Sequence, residues 1–410
     1  MKVVHLNYAD RVGGAAIAAF RHNEAMQQCG IDSKMLVVNR TLHYNRTIIT
    51  PTTSNLKLKI ESLIKSRLPA MKVIHERPYA TWSLASNGFD LSKHPTVRNA
   101  DAIWLHWING GMLSVAGIEK ILKLMKPTYW FMHDMWPFTG GCHYALVCQG
   151  YEDKCGKCPF LHYPEGSKRT NDLSRRQMKK KLRRWSKFSN LHILAPSQWL
   201  VDCSQRSTLF GGLEHTVVRN VIDTGRFHPI NKLAARRLFG LPIDKKLILF
   251  GADSISSPYK GWNYLKETLN IIDSTKIECI VFGTAEYMFT LQNSIRLKVH
   301  FTGKLSDEYS LIALYNACDV FVTASVAENY PNVLIEAMAC GLPCVGFNTG
   351  GIPEIIRHGK TGYISQEISA KGLAAGINHV LQTADYASMS ATSRERIVKE
   401  NSYAAAKYAL

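Results

Sequence analysis

The chain has 410 residues, too many for one ordinary hydrophobic core, which indicates two domains of roughly 180–200 residues each. Apolar residues make up 46% and charged residues 20%, a composition typical of a soluble globular protein, and an uncharged apolar run long enough to span a bilayer is absent from the sequence. The net charge of +18 favours an anionic partner, such as nucleic acid, a membrane surface or a phosphorylated substrate.

The N-terminal segment begins with a short apolar strand, Lys2–Asn7, and continues through Gly13 and Gly14 into helix-forming residues. A strand, a glycine turn and a helix are typical of a nucleotide-binding α/β unit, in which the helix N-terminus offers N–H groups to an anion. The pair of glycines is equally compatible with a plain tight turn, and the Gly-x-Gly-x-x-Gly fingerprint of a dinucleotide oxidoreductase is absent. Because Asn7 and Asp10 interrupt the apolar core that a signal peptide needs, we expect a cytoplasmic protein.

Further short apolar segments are separated by helix-length stretches and do not alternate with polar residues, which predicts parallel strands buried on both faces. These segments are Ala102–His106, Thr128–Met132, His192–Ala195, Lys246–Phe250, Glu278–Phe282, Val320–Thr323 and Pro343–Phe347. The pattern restarts near residue 219. We therefore predict an N-terminal domain at 1–218, a second domain at 219–390 and a C-terminal helix at 391–410 that crosses back to the first domain.

Four of the ten cysteines lie close together within a segment at 142–158 of the first domain. They are Cys142, Cys148, Cys155 and Cys158, and we call them the cysteine cluster. A Cys-x2-Cys pair can hold tetrahedral zinc through its thiolates, so we predict a structural zinc, with His143 and His162 as spare ligands. The alternatives are four buried thiols or two disulfides, which a reducing cytoplasm disfavours.

A strongly basic helix is predicted directly after this segment. Its eight cations are Arg175, Arg176, Lys179, Lys180, Lys181, Arg183, Arg184 and Lys187. An apolar stripe of Met178, Leu182 and Trp185 runs along it, a pattern typical of a helix that lies on anionic lipid. Leu56–Leu68 is a second basic amphipathic segment. The alternative is a helix that packs on its own core and leaves the basic face in solvent.

Two carboxylates, Glu328 and Glu336, flank Pro331 in the second half of the chain. Proline suits the first turn of a helix, so Glu328 is predicted on the preceding loop and Glu336 inside the helix. The first amides of this helix can hold a diphosphate, and each carboxylate can accept a pair of vicinal hydroxyls. Two solvated glutamates on a capped surface helix are the alternative.

The surroundings of the carboxylate pair resemble the signature of the retaining glycosyltransferases of group 1 (family four). The matching stretches are Glu328-x7-Glu336, Gly341–Pro343, Gly350–Glu354, Arg219–Val221 with Asp223 and Phe227, Lys260–Gly261, Phe301–Gly303 and Tyr315–Asp319. The resemblance implies the GT-B fold, with two Rossmann-like domains facing across a deep cleft. It also implies a nucleoside-diphosphate sugar donor and no metal requirement in catalysis.

The resemblance also assigns roles to individual residues. The implied donor-binding residues are Gly13, Gly14, Lys260, Glu328, Asn332, Val333, Leu334 and Glu336. Among these, Glu336 would hold the ribose, Glu328 the sugar hydroxyls and Lys260 the leaving diphosphate. His133 is implied near the sugar as an orienting residue and completes a catalytic set with Lys260 and Glu328; Asp134 is a weaker candidate. The chain departs from the family at Ala252 and Asp253, where an arginine is usual.

The segment from His133 to Pro159 is similar to that of bacterial exopolysaccharide and capsule glycosyltransferases of the colanic-acid type. This favours a lipid-linked or oligosaccharide acceptor and a peripheral position on the cell membrane. An epimerase or a phosphorylase of the same fold is an alternative. A nucleic-acid binder would explain the charge, but the sequence lacks a recognition-helix, zinc-finger or RNP signature, so no nucleic-acid partner is expected.

Overall fold

The computed structural model describes residues 1–51, 82–161, 171–254, 257–273, 275–284, 294–305, 307–406 and 408. These residues form two compact units. The first unit is Met1–Asn220 together with the end of the chain, and the second is Val221–Ala406. The predicted division at 218/219 falls two residues before this one. At the end of the chain, the Tyr408 hydroxyl lies 3.0 Å from Nδ1 of His22 in the first unit.

The first unit is built on a parallel sheet that has seven strands in the described residues. They are β1 (Lys2–Ala9), β2 (Asp32–Asn39), β3 (Ile48–Ile49), β4 (Ala102–Leu105), β5 (Thr128–Phe131), β6 (Leu191–Ala195) and β7 (His215–Val217). Their spatial order is β3-β2-β1-β4-β5-β6-β7. The order reverses between β1 and β4, which is the point where open α/β sheets bind ligands beyond the carboxyl ends of their strands.

Five α-helices of the first unit lie in the described part of the chain. They are α1 (Gly14–Gln28), α2 (Pro95–Arg98), α3 (Val115–Leu122), α4 (Leu173–Trp185) and α5 (Gln198–Arg206). The side chains of Ser114, Asp172 and Ser197 each cap a helix by accepting a hydrogen bond from an amide three residues later. Such caps satisfy N–H groups that have no partner within the helix and explain where α3, α4 and α5 begin.

The second unit repeats this architecture with a six-stranded parallel sheet among the described residues. Its strands are β8 (Lys246–Ser254), β9 (Ile277–Thr284), β10 (Val299–Gly303), β11 (Val320–Val322), β12 (Cys344–Phe347) and β13 (Gly362–Ser365). Its helices are α6 (Lys232–Leu238), α7 (Trp262–Ile271), α8 (Glu308–Ala317), α9 (Asn332–Ala339), α10 (Ile352–Ile355), α11 (Ala370–Gln382) and α12 (Tyr386–Asn401). The order β10-β9-β8-β11-β12-β13 places the reversal between β8 and β11.

All eight strands predicted from apolar segments are present, with ends shifted by a few residues. β2, β3, β7, β10 and β13 were not predicted as strands. The last long helix, α12, begins before the predicted residue 391 and ends at Asn401, because Ser402 has extended backbone angles. The predicted segment at Leu56–Leu68 lies outside the described residues.

Candidate functional site

Two oppositely charged side chains meet beyond the carboxyl ends of β8 and β11, where the second sheet reverses its order. Lys260 precedes α7, and Glu328 lies on the loop between β11 and α9. The Lys260 ammonium donates a hydrogen bond to Oε1 of Glu328. Ser325 donates to the same carboxylate oxygen at 3.5 Å. The structure therefore brings together two of the three residues predicted to be catalytic.

Two glycines allow the backbone to approach this pair closely. Gly261 has φ of 71°, and a Cβ there would lie 1.8 Å from the carbonyl oxygen of Ala324. Gly350 has φ of 54°, and its Cβ would lie 1.8 Å from the carbonyl oxygen of Glu328 itself. Any other residue at either position would displace the loop that carries Glu328. These contacts give a physical reason for the first glycine of the Gly350–Glu354 stretch and for the glycine of Lys260–Gly261.

Glu336 lies inside α9, as predicted, and its side chain is almost fully buried. Its Oε2 accepts a hydrogen bond of 2.8 Å from the hydroxyl of Tyr315, a fully buried residue of α8. A buried carboxylate without such a donor would be costly, so Tyr315 both stabilises and orients Glu336. Sequence reasoning noted Tyr315 as part of a motif but gave it no role.

The start of α9 corrects one detail of the predicted diphosphate site. Pro331 is the residue before the helix, and Asn332, Val333 and Leu334 form its first turn. The amide of Leu334 already donates to the carbonyl of Pro331 at 3.2 Å, so in this structure it does not serve as an open donor for an anion. The side chains of Ala252 and Asp253 lie outside the described parts of the chain.

In the first unit, His133 follows β5 and is half-buried. Its Nε2 lies 3.0 Å from Nδ1 of His106, and burial lowers the pKa of His133 to about 4. The contacts of Asp134 favour a structural role. Its Oδ2 lies 2.6 Å from Nδ1 of His143, and its Oδ1 accepts a hydrogen bond from the Trp136 amide at 2.9 Å.

Gly13 and Gly14 lie where β1 passes into α1, on the same sheet as His133. Gly13 has φ of 87°, a left-handed conformation that favours glycine, and its carbonyl accepts hydrogen bonds from the amides of Ala16 and Ile17. A Cβ at Gly13 would meet nothing within 4 Å. The glycine at this position therefore serves the backbone turn at the start of α1, in a loop that is open on its side-chain side.

All four members of the cysteine cluster line one small apolar cavity, together with Trp82 and Tyr151. Their side chains are thiols and do not form disulfides, and burial raises the pKa of Cys142, Cys155 and Cys158. Backbone amides of Gly140 and Gly150 donate to Cys155 and Cys148 at 3.1 and 3.4 Å. Among the described residues, however, no group of three or more His, Cys, Asp or Glu side chains is arranged to hold a metal ion. The four cysteines therefore line the same cavity but are not arranged as the ligands of a metal ion, and zinc binding stays a prediction.

The basic helix is α4, and its apolar stripe packs inward. Met178 and Trp185 are fully buried, and the Trp185 ring lies 5.2 Å from that of Trp130 on β5. Leu182 packs against the same core. The prediction that this stripe faces lipid is therefore wrong, because the protein's own core covers it.

Lys181 was predicted to contact the membrane, and the structure contradicts this. Its side chain is 0% exposed, and its ammonium donates to the carbonyls of Trp136, Pro137 and Thr139. The ammonium also lies 3.8 Å from the centroid of the Trp136 ring, a cation–π contact. Burial lowers the pKa of Lys181 to about 7. Lys181 therefore belongs to the core of the first unit.

The other cations of the predicted basic helix differ in exposure, and Lys187 lies beyond the end of α4 at Trp185. Arg184 and Lys187 pair with Glu119 of α3, and Arg175 donates to the carbonyls of Asp153 and Cys155. Lys180 is half-buried. Arg176, Lys179 and Arg183 are exposed and one helical turn apart, and we call them the outward basic face. No helix in the described part of the chain has both the length and the apolarity to cross a membrane.

Comparison with known proteins identifies the second unit. The model of a family described as glycosyl transferases group 1 matches residues 244–383, the segment that holds Lys260, Glu328, Tyr315 and Glu336. Residues 244–383 are therefore a group 1 glycosyltransferase domain. The resemblance to group 1 glycosyltransferases is thereby confirmed for this segment, which contains the carboxylate pair, while retention stays a prediction.

Two curated proteins with different names are similar to parts of this chain. The chain is 26% identical over 279 residues to the putative colanic acid biosynthesis glycosyl transferase WcaC of Escherichia coli, covering 67% of this chain and 65% of WcaC. It is 36% identical over 189 residues to the N-acetyl-alpha-D-glucosaminyl L-malate synthase of Bacillus anthracis, covering 45% of this chain and 49% of the synthase. The matched part of the chain thus spans about two thirds of the length of WcaC and about half that of the synthase.

Solved structures confirm the GT-B fold. The Anabaena protein HepE, crystallised with UDP and glucose, has a TM-score of 0.65 and 17% identity, with 98% of this chain and 96% of HepE covered. WaaG, a glycosyltransferase involved in lipopolysaccharide biosynthesis, has a TM-score of 0.63 and 13% identity, with 97% and 95% covered.

Proposed function

We propose that the protein is a glycosyltransferase that moves a sugar from a nucleoside-diphosphate donor to a saccharide or lipid-linked acceptor during surface polysaccharide synthesis. The observation that carries this proposal is that the group 1 domain holds both the Lys260–Glu328 pair, at the reversal point of its sheet, and the Tyr315–Glu336 pair. The names of WcaC and WaaG support the polysaccharide context.

In the proposed reaction the leaving group is a nucleoside diphosphate, which gains negative charge as the glycosidic bond to the donor breaks. A preorganised cation and backbone N–H groups stabilise such charge best because they need no reorganisation. Lys260 supplies the cation, and Glu328 holds its ammonium in place. The first turn of α9 supplies the positive end of a helix. The proposal needs no catalytic metal ion.

The two glutamates take different parts of the donor. Glu336, held by Tyr315 within α9, accepts hydrogen bonds from the ribose hydroxyls. Glu328 accepts hydrogen bonds from hydroxyls of the transferred sugar through the lone pairs that Lys260 does not use. It therefore contributes to turnover more than to nucleotide affinity. His133 of the first unit orients the sugar. We propose retention of anomeric configuration, with attack on the face from which the diphosphate leaves.

Two further features complete the proposal. The outward basic face of α4 attracts anionic lipid and so brings the chain to membrane-bound acceptors. The cysteine cluster would hold one structural zinc through its thiolates, and such an ion would fix the segment that follows His133. The cluster has no catalytic role in this scheme.

A donor-turnover assay tests the proposal. UDP-glucose is the first donor to try, because HepE, which shares the fold, was crystallised with it. We expect slow release of UDP by the wild type and faster release when a saccharide acceptor is added. Glu328→Gln should lower turnover by about 10- to 100-fold with little change in UDP affinity, since it removes a contact with the reacting sugar.

Glu267→Gln is the matched control, because Glu267 is an exposed glutamate on α7 of the same unit. It should keep wild-type turnover. NMR of the product's anomeric proton reports retention or inversion. Failure of the wild type to bind or turn over any of a panel of nucleoside-diphosphate sugars would contradict the proposal, and phosphate-dependent release of sugar phosphate would indicate a phosphorylase instead.

A further inference from the structure

Three histidines of the first unit form a continuous chain of hydrogen bonds across neighbouring strands. His5 lies on β1, His106 directly follows β4, and His133 follows β5. Nδ1 of His5 is 2.9 Å from Nε2 of His106, and Nδ1 of His106 is 3.0 Å from Nε2 of His133. Both pairs of rings are stacked, with centroids 5.2 Å apart. This series of hydrogen-bonded histidines, the histidine chain, runs from the interior of the sheet to the half-buried His133, at the point where the strand order reverses.

Burial favours the neutral form of all three rings. His5 and His106 are buried, and burial lowers the pKa of His5 to about 3 and that of His106 well below its ordinary value. A neutral imidazole carries one N–H and one lone pair. Each hydrogen bond in the chain needs one of each, so the tautomer of any ring fixes the tautomers of the other two.

The inner end of the chain decides its direction. Nε2 of His5 is buried and has no hydrogen-bond partner among the described residues. An orphaned N–H group is rarer in protein interiors than an acceptor with an unused lone pair. Nε2 of His5 therefore bears the lone pair and Nδ1 bears the proton. His106 then accepts at Nε2 and donates at Nδ1, and His133 accepts at Nε2.

We infer that His106 is a positioning residue that holds His133 in the tautomer protonated at Nδ1. In this state Nδ1 of His133 carries a proton and the lone pair of its Nε2 is used by His106, so the ring has no basic lone pair to offer to a substrate proton. His133 therefore acts by orienting the sugar or stabilising charge on its oxygens and not by removing a proton. This inference rests on the proposed function for the identity of the ligand, but the tautomer itself does not depend on any ligand.

The tautomer is measured first, on the unaltered protein without substrate. Long-range proton–nitrogen NMR of protein labelled with ¹⁵N-histidine distinguishes protonated from unprotonated ring nitrogens, and the signals of His133 are those that disappear in His133→Gln. We expect a protonated Nδ1 and an unprotonated Nε2 in His133 and in His106. A protonated Nε2 in His133 would overturn the inference, whatever the enzymatic activity.

Substitutions at His106 then test the positioning role. His106→Phe keeps an aromatic ring but removes both hydrogen bonds, and it should lower turnover about 10- to 100-fold with unchanged UDP affinity, as misplacement of a contacting group does. His106→Asn places an amide N–H near the position of Nδ1 and should restore both the His133 tautomer and most of the turnover. His192→Phe, on β6 of the same sheet, is the control and should behave as the wild type.

Equal activity of His106→Phe and wild type would contradict the positioning role, as would equal losses in the Phe and Asn variants with both folded. A wild type that shows the expected tautomer but no turnover of any nucleotide sugar would instead count against the proposed function. The two failures are therefore distinguishable.

Discussion

Glu336→Gln tests the proposed donor site most directly. The glutamine side chain has the shape of the glutamate, and its carbonyl oxygen can still accept the 2.8 Å hydrogen bond from Tyr315, so we expect the fold to persist. What is lost is the negative charge toward the ribose hydroxyls. Charge-assisted hydrogen bonds are about twice as strong as neutral ones, and the loss should amount to about 1–3 kcal/mol. The Kd for UDP should then rise about 5- to 140-fold.

Tyr315→Phe should give the opposite pattern. It leaves the buried carboxylate of Glu336 without its neutral donor, which should lower the free energy of unfolding by about 1.5–3 kcal/mol. Its effect on UDP affinity should be smaller than that of Glu336→Gln, because the charge remains. Tyr330→Phe is the matched control, since Tyr330 is a buried tyrosine of the same core whose hydroxyl accepts from Asn401 at 3.2 Å.

Isothermal titration with UDP gives the affinities, and urea unfolding gives the stabilities. A folded Glu336→Gln variant that binds UDP as tightly as the wild type would refute the assignment of Glu336 to the ribose. Loss of UDP binding in the Tyr330→Phe control would show that affinity reports general damage to the unit.

Three further predictions concern the first unit. Elemental analysis should find about one zinc per chain, bound by the cysteine cluster; absence of metal with all four thiols titratable in the native protein would contradict this. Glutamine at all three positions of the outward basic face should weaken binding to anionic vesicles in co-sedimentation by roughly 3 kcal/mol, while UDP binding persists. Lys181→Met should instead lower the free energy of unfolding by about 1–3 kcal/mol and leave vesicle binding unchanged. The reverse pattern would exclude the outward basic face as the membrane contact. Burial lowers the pKa of His5 from 6.5 to about 3, so the unfolded chain binds more protons than the folded one between these pH values. The free energy of unfolding should therefore fall as pH falls through this window, by up to about 1.4 kcal/mol per pH unit. Urea unfolding between pH 7 and 4.5 should show a shallower fall in His5→Phe than in the wild type, and equal slopes would contradict this prediction.

The sequence predicted those parts of the fold that depend on local pattern. Strands such as β4 and β5 are short and wholly apolar, so their burial on both faces could be predicted from composition alone. β2 was missed because it begins Asp-Ser-Lys, and only its later residues are apolar. β13 was missed because it begins with Gly362, which is required where its Cβ would lie 1.8 Å from the carbonyl of Cys344, a contact between strands that no local pattern reveals.

The candidate site divides in the same way. Pro331 placed Glu328 before α9 and Glu336 inside it, and the structure agrees. The partners of these glutamates could not be predicted, because Lys260 is 68 residues from Glu328 and Tyr315 is 21 residues from Glu336. Strand order and helix packing bring them together.

The basic helix shows a signal that was present in the sequence but was weighed wrongly. Met178, Lys181 and Trp185 are spaced three and four residues apart, so they share one face of a helix. The two apolar members of this set face the core, and Lys181 faces it with them. A lysine in that register is tolerated only because three backbone carbonyls and an indole ring receive its ammonium. The helical periodicity therefore predicts that Lys181 is buried, but only the structure shows the contacts that compensate for the burial of its ammonium.

The two sheets place different chemistry at equivalent points. Each reverses its strand order once, between β1 and β4 in the first unit and between β8 and β11 in the second. The first carries neutral imidazoles whose burial opposes protonation, and the second carries a lysine and a glutamate in contact. In the proposed function, the cation at the reversal point of the second sheet, Lys260, meets the anionic diphosphate of the donor. Burial opposes protonation of the histidines at the reversal point of the first sheet, so the positive charge that the proposal needs comes from Lys260 and not from an imidazolium.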